Sequence, residues 1–407
     1  MPIGIYDVPN PILTVKSWYD LDEYDKNYQR LKVPPENLPK KLIIEDADAI
    51  WLGSIEARLY KQSFRFVSEI EVCKGSPSVK VIDNIIYSKD GKELICCLKS
   101  RKGKVIIPEG VEVIGYSAFY KSNISEVVFP DSLRLIRARA FMFCKNLNNV
   151  YTNNIETIEY TAFYDCCKLK DIEFGKELKK IGNESFAHTI IESVTLPENL
   201  KDIGRRAFAN SHLREVTSTK PTKKIEKEAF ITVSKINMNT YDENLLYASI
   251  EEGHMKSVYG SFLNNDDYTG HFLLLNISGK EIIVPKYIRG LNLHVANLNI
   301  LRFAESQDLS YIISLHEYGE TRFHQGLAAI EILKRYDSEP AKEFLNEHAK
   351  DVAMEFPEEY LLSMLKMDVL NVDALMQMLE ATQAKEYKVA AAYILEKINS
   401  YNKENDG

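Results

Sequence analysis

Phenylalanine recurs along this chain at Phe119, Phe141, Phe163, Phe186, Phe208 and Phe230, in steps of 22, 22, 23, 22 and 22 residues. Five positions before each stands an isoleucine: Ile114, Ile136, Ile158, Ile181, Ile203 and Ile225. Immediately before each is a small residue, Ala118, Ala140, Ala162, Ser185, Ala207 or Ala229. A fixed period of this kind overrides local propensities, because each copy is one structural unit that must bury its apolar side against the next. After each phenylalanine an aliphatic residue follows within a few positions (Ile124, Leu147, Leu169, Ile191, Leu213), and three further on comes Val127, Val150, Ile172, Val194 or Val216. The next apolar positions, as in Val127 and Phe129, lie two apart, which is the spacing of a strand. Pro130 and Pro197 close two of these strands, where no further ladder hydrogen bond can be donated. The pattern predicts a coil that climbs one turn per repeat, with one short strand, a bend and a compact Ile-x-x-x-Ala-Phe stretch in each turn. The six phenylalanines and six isoleucines form the expected core ladder.

These residues carry a resemblance. The stretch Ile-Pro-Glu-Gly-Val-Glu-Val-Ile-Gly-Tyr-Ser-Ala-Phe beginning at Ile107, and its repeats, resemble the BspA-like class of leucine-rich repeats, common in bacterial surface and gut-associated proteins. Residues 81–95 resemble the β-hairpin insertion of that class, with Lys89-Asp90-Gly91 supplying the positive-φ residue of a tight turn. The resemblance spans about residues 66 to 230 and implies an α+β fold: a right-handed leucine-rich-repeat solenoid of short β-strands, with an N-terminal cap and a C-terminal α-helical domain. It also implies a bacterial binding protein, some relatives being exported adhesins.

The flanks complete this organisation. Residues 1–65 carry scattered prolines and an acidic, tyrosine-rich patch from Trp18 to Tyr28; they are expected to form an irregular cap, with a strand at Lys41 to Ile44, because an open solenoid end exposes its core. Residues 66–230 are the solenoid, with the hairpin near 81–95. Residues 231–295 keep strand-like stretches, Phe272 to Ile277 and Glu281 to Pro285, and are expected to cap the other end. From about Leu298 the period turns helical. Leu361, Leu362 and Leu365, then Leu375, Met378 and Leu379, lie on single helix faces, and Pro340 and Pro357 suit first turns. Residues 296–407 therefore read as helix pairs similar to the ankyrin type.

The net charge of −8 is carried by the stretch from Leu291 onward, and the remainder is close to neutral. A nucleic-acid surface, which needs a concentrated basic stripe, is not expected: Arg137/Arg139, Arg205/Arg206 and Lys223/Lys224 are interrupted on other turns by Glu159, Glu184 and Glu226. No apolar run approaches the ~18 to 20 residues of a membrane span. The first residues contain neither a basic leader nor an apolar core, so a cytoplasmic location is expected, or an extracellular one for a processed form. The six cysteines, Cys73, Cys96, Cys97, Cys144, Cys166 and Cys167, are expected as reduced thiols.

No phosphate loop, metalloprotease helix, nucleophile elbow or Cys-x-x-Cys is present, so neither a catalytic residue, a cofactor nor a metal is expected. Cys144 and Cys166 fall at one position of successive turns, where a redox pair is conceivable and a small buried ladder residue is favoured. His188 and His212 lie near one bend and, with His316, His324 and the acidic pairs Asp46/Asp48 and Glu358/Glu359, are expected to be solvated. The candidate working surface is the outward face of the strands: Glu126 and Val128, Asn149 and Tyr151, Asp171 and Glu173, Ser193 and Thr195, Glu215 and Thr217. Five strands at ~4.8 Å would give a sheet ~24 Å wide. The reading is a non-catalytic protein–protein interaction scaffold. Its alternatives are a carbohydrate or host-surface binder and an enzyme with its site in the flanks; the sequence leaves the ligand and the oligomeric state open.

Overall fold

In the computed structural model the described residues are 12–15, 18–45, 64, 66–72, 78–250, 271–288 and 290–405. The chain forms two compact units, Met1–Thr232 and Val233–Gly407.

The first unit begins with a small parallel sheet of β1 (Ile12–Val15), β2 (Lys41–Ile44) and β3 (Glu69–Val72). The expected irregular cap is corrected here, because residues Trp18–Leu31 form a 14-residue helix. Tyr24 and Tyr28 stand four apart and so share a helix face, and Tyr24 is buried with its ring 5.6 Å from Phe64. Three strands follow, β4 (Val79–Ile82), β5 (Ile85–Ser88) and β6 (Glu93–Cys97). The tight turn between the first two is Asp83-Asn84, both at positive φ (50° and 59°). That is the left-handed pair a two-residue hairpin needs for strands of natural twist. Gly91, at φ 82°, supplies the positive-φ residue of the hairpin turn between β5 and β6, as expected. Leu42 and Ile70 of the cap share one core with Ile86 and Cys96 of the hairpin, which covers the apolar side chains of both.

Each turn of the coil then contributes two strands. In chain order these are β7 (Lys102–Ile106) and β8 (Val113–Ile114), β9 (Asn123–Val128) and β10 (Leu135–Ile136), β11 (Asn149–Tyr151) and β12 (Thr157–Ile158), β13 (Asp171–Glu173) and β14 (Lys180–Ile181), β15 (Ser193–Leu196) and β16 (Asp202–Ile203), and β17 (Glu215–Ser218) and β18 (Lys224–Ile225). The even-numbered strands form a parallel ladder in which Ile114, Ile136, Ile158, Ile181, Ile203 and Ile225 are direct partners. The hairpin extends this ladder through Leu94, the partner of Ile114. One strand per turn was expected and two are found. The second is only two residues long, too short for an alternation of polar and apolar residues to reveal it.

Between the second strand of each turn and the strand that follows it lies the Ala-Phe stretch. The six phenylalanine rings are fully buried and stack face to face, with centroids from 4.8 Å (Phe119–Phe141) to 5.4 Å (Phe208–Phe230). The backbone N–H of each of the first five phenylalanines donates to the carbonyl of the small residue one turn on, as Phe119 to Ala140 and Phe141 to Ala162, both at 2.7 Å. The residues two before and two after each of the first five phenylalanines turn the corners in left-handed backbone, for example Thr161 (φ 51°) and Asp165 (φ 56°) around Phe163.

The second unit opens with β19 (Lys235–Met238), which pairs parallel with β20 (Phe272–Ile277); β20 pairs antiparallel with β21 (Lys280–Pro285). Helices follow at Gly290–Ser306, Arg322–Arg335, Glu339–Glu347, Ala349–Glu355, Glu358–Leu365, Val372–Ala384 and Lys388–Asn405. Thr321, Ser338 and Asn371 cap three of them with side-chain oxygens, satisfying N–H groups that have no partner inside the helix. Successive helix pairs are tied by Lys350 to Glu380 at 2.9 Å and Lys397 to Asp368 at 2.5 Å.

Candidate binding face

The odd-numbered strands build the face singled out above. β7, β9, β11 and β13 form one parallel sheet, with Val105, Val127, Val150 and Ile172 in one inward rank. Because side chains alternate, the residues on either side of that rank point outward. Lys104, Glu126, Asn149 and Asp171 form one outward rank; Ile106, Val128, Tyr151 and Glu173 form the next. In the second rank three apolar side chains stand side by side in water: Ile106 is 68 % exposed, Val128 37 % and Tyr151 52 %. In the first, Lys104 Nζ meets Glu126 Oε1 at 2.7 Å. Asp171 and Glu173 are exposed at the far edge.

The five-strand strip does not run as one ladder. β15 and β17 pair in a separate sheet, Ser193 with Glu215 and Thr195 with Thr217. Ser193 and Thr195 are exposed there, while Glu215 and Thr217 are half-buried. The break coincides with the single 23-residue step, whose extra residue lies just beyond β13. Gly175 sits at that point, so close to the preceding turn that a Cβ would fall 1.8 Å from the carbonyl oxygen of Asn153. Ile106, Lys102 and Lys104 are members of the face that sequence reasoning missed. The signal was available, since Ile106 stands 22 residues before Val128, one full repeat.

The other candidates resolve locally. Cys97, Cys144, Cys166 and Cys167 are free thiols, and Cys73 lies outside the described residues. Cys144 and Cys166 are fully buried, and their thiols donate to the carbonyls of Phe119 (2.9 Å) and Phe141 (3.1 Å). Burial pushes the Cys97 thiol up to about 12 and the Cys144 and Cys166 thiols up as well, which suppresses the reactive thiolate. His188 packs 5.0 Å from the Tyr164 ring, with Nε2 3.2 Å from the Asn210 amide. Among the described residues no group of three or more His, Cys, Asp or Glu could hold a metal. Arg205 and Arg206 both bridge Glu228, and Arg137 lies 3.4 Å from Glu93, so basic residues are answered by acids on neighbouring turns.

Three side chains expected in solvent are elsewhere. His316 is fully buried 5.1 Å from the Phe344 ring, and burial lowers its pKa to about 4. His324 is half-buried 4.4 Å from the Tyr287 ring; desolvation, then the neighbouring His271, lower it to about 4, against the pull of Glu320. Glu358 is half-buried, and its Oε1 accepts the N–H groups of Val389 (2.9 Å) and Ala390 (3.0 Å), capping the last helix from another element. Asp46 and Asp48 lie outside the described residues.

A β-solenoid whose 22-residue turns stack on a phenylalanine ladder is a leucine-rich repeat. The repeats here are of the BspA type: residues 112–237 match the family described as the BspA type leucine rich repeat region, in six copies. No curated protein matches the chain. Among solved structures it is similar to the pneumococcal vaccine antigen PcpA, at 19 % identity over 51 % of this chain and 53 % of that one, with a TM-score of 0.40. It is also similar to a leucine-rich repeat protein from Bacteroides ovatus, at 17 % identity over 49 % of this chain and 55 % of that one, TM-score 0.37. A T. pallidum leucine-rich repeat protein is 23 % identical over 38 % of this chain and 81 % of its own, TM-score 0.30. The chain thus spans 53 % and 55 % of the first two of these structures. Among the described residues no helix is long and apolar enough to cross a membrane.

Proposed function

We propose that the repeat array is a non-catalytic protein-binding scaffold, and that it binds through the outward face of β7, β9, β11 and β13. The observation that supports this is the rank Ile106, Val128 and Tyr151, three adjacent side chains left in water on a rigid ladder. Contiguous apolar surface of this kind is costly to expose and marks contact sites, and a rigid, exposed tyrosine is a frequent anchor of such contacts.

The test is a capture experiment with the wild-type chain beside a Tyr151→Ala, Glu173→Arg double variant. A partner held by the first and lost by the second, at equal thermal stability, places the function on this face. Equal capture by both removes it from the face. Binding to a glycan array by the wild type, without any protein captured, would replace the protein partner by a carbohydrate.

A further inference from the structure

We propose that the partner on this face is a second copy of this chain, in a two-fold dimer whose axis lies between the two faces and runs along the strands. The proposal rests on the face being the binding surface and adds its occupant. Charge is graded across the strands. β7 presents Lys102 and Lys104 at one edge, both exposed, and β13 presents Asp171 and Glu173 at the other, both exposed. Lys104 is bridged to Glu126, whereas Lys102, Asp171 and Glu173 have no ion-pair partner among the described residues. Val128 and Tyr151 lie on the two middle strands.

A two-fold axis along the strands keeps their direction and reverses their order. It lays β7 over β13 of the other copy, and β9 over β11. Lys104 then faces Asp171 at both ends of the interface, with Lys102 and Glu173 in the ranks on either side and Ile106 opposite Glu173, and Val128 faces Tyr151 twice about the centre. An axis across the strands would instead lay β7 over β7 and β13 over β13, setting lysine on lysine and carboxylate on carboxylate, a like-charge arrangement that excludes a pairing. The face is therefore complementary to its own reversed image, which is the condition an isologous interface must meet.

The contact is small. Four strands at ~4.8 Å span ~19 Å, well short of the ~800 Å² per partner of a standard interface. A dissociation constant on the order of 10–100 µM is expected.

Sedimentation of the full chain tests this, from ~5 to ~500 µM so as to bracket that constant. The wild type should pass from monomer to dimer, and added salt should weaken the dimer, as exposed charge pairs are screened. A Lys102→Glu, Lys104→Glu variant and an Asp171→Lys, Glu173→Lys variant should each dimerise at least about tenfold more weakly. An equimolar mixture of the two should regain association to within about threefold of wild type, because the mixed dimer meets opposite charges at both ends. Recovery in the mixture also shows that both variants are folded. A wild type that stays monomeric, a dimer indifferent to both charge swaps, or a mixture that fails to recover would each overturn the proposal. A monomeric wild type whose captured partner is nevertheless lost in the Tyr151→Ala, Glu173→Arg variant would discard the second copy and keep the face.

Discussion

Phe163 shows how much a single side chain contributes to this architecture. Its ring is fully buried, with Phe141 on one side at 5.0 Å and Phe186 on the other at 5.2 Å. Removal leaves a cavity that the stacked turns cannot collapse into, because each turn is held by backbone hydrogen bonds above and below. Phe163→Ala should cost about 3 to 5 kcal/mol in denaturant unfolding, and an unchanged midpoint would mean that the ladder is not the core. Two positions earlier, Thr161 stands at φ 51°, a conformation that a branched Cβ disfavours. Its buried hydroxyl also finds no hydrogen-bond partner. Thr161→Gly should therefore stabilise the repeat by about 0.5 to 1 kcal/mol, read as a higher melting temperature. The corner tolerates threonine because its N–H donates to Asn183 O at 2.8 Å, so neighbouring turns hold the strained backbone in place.

At the scale of elements, the solenoid is a set of parallel hydrogen-bond ladders in which turns approach to backbone contact. Gly182 follows the ladder residue Ile181, and a Cβ there would lie 2.4 Å from both the Glu159 carbonyl carbon and the Tyr160 nitrogen. These are backbone atoms with no freedom to yield, so Gly182→Ala should destabilise the first unit by about 1 to 3 kcal/mol through overpacking, measured in the same unfolding experiment. In the helices, Glu358 holds the start of Lys388–Asn405 through two N–H groups. Glu358→Ala should lose about 1 kcal/mol of cap energy and speed amide exchange in the first turn of that helix. Protection left unchanged there would show that the cap contributes nothing.

The whole molecule has two units, and acid should distinguish them. His316 and His324 lie in Val233–Gly407 and have folded pKa values lowered to about 4, against an ordinary value of 6.5. Between those values the unfolded chain binds protons that the folded unit refuses, so stability is full above pH ~6.5 and falls as pH drops towards ~4. For His316, which is fully buried, the loss is about 3 kcal/mol. A His316→Leu variant should flatten this acid limb, and an identical pH profile would show that the ring does not titrate on unfolding.

The repeat, its period and the identities of its ladder residues were legible in the amino-acid sequence, because a phenylalanine that returns every 22 residues has no other way to be buried than against its own copies. The outward positions of the longer strands were legible for a similar reason, since alternation fixes the side on which each residue falls. The helix Trp18–Leu31, the second strand of each turn, and the buried places of His316 and Glu358 were not. These depend on what a segment packs against: an acidic face can still carry a helix when Tyr24 has Phe64 to cover it, and a two-residue strand exists only because a neighbouring turn supplies its ladder. The sequence by itself determined the turn and the side chains inside it. Only the tertiary structure decided that the outer strands divide after β13, because that outcome depends on how one turn settles on the next.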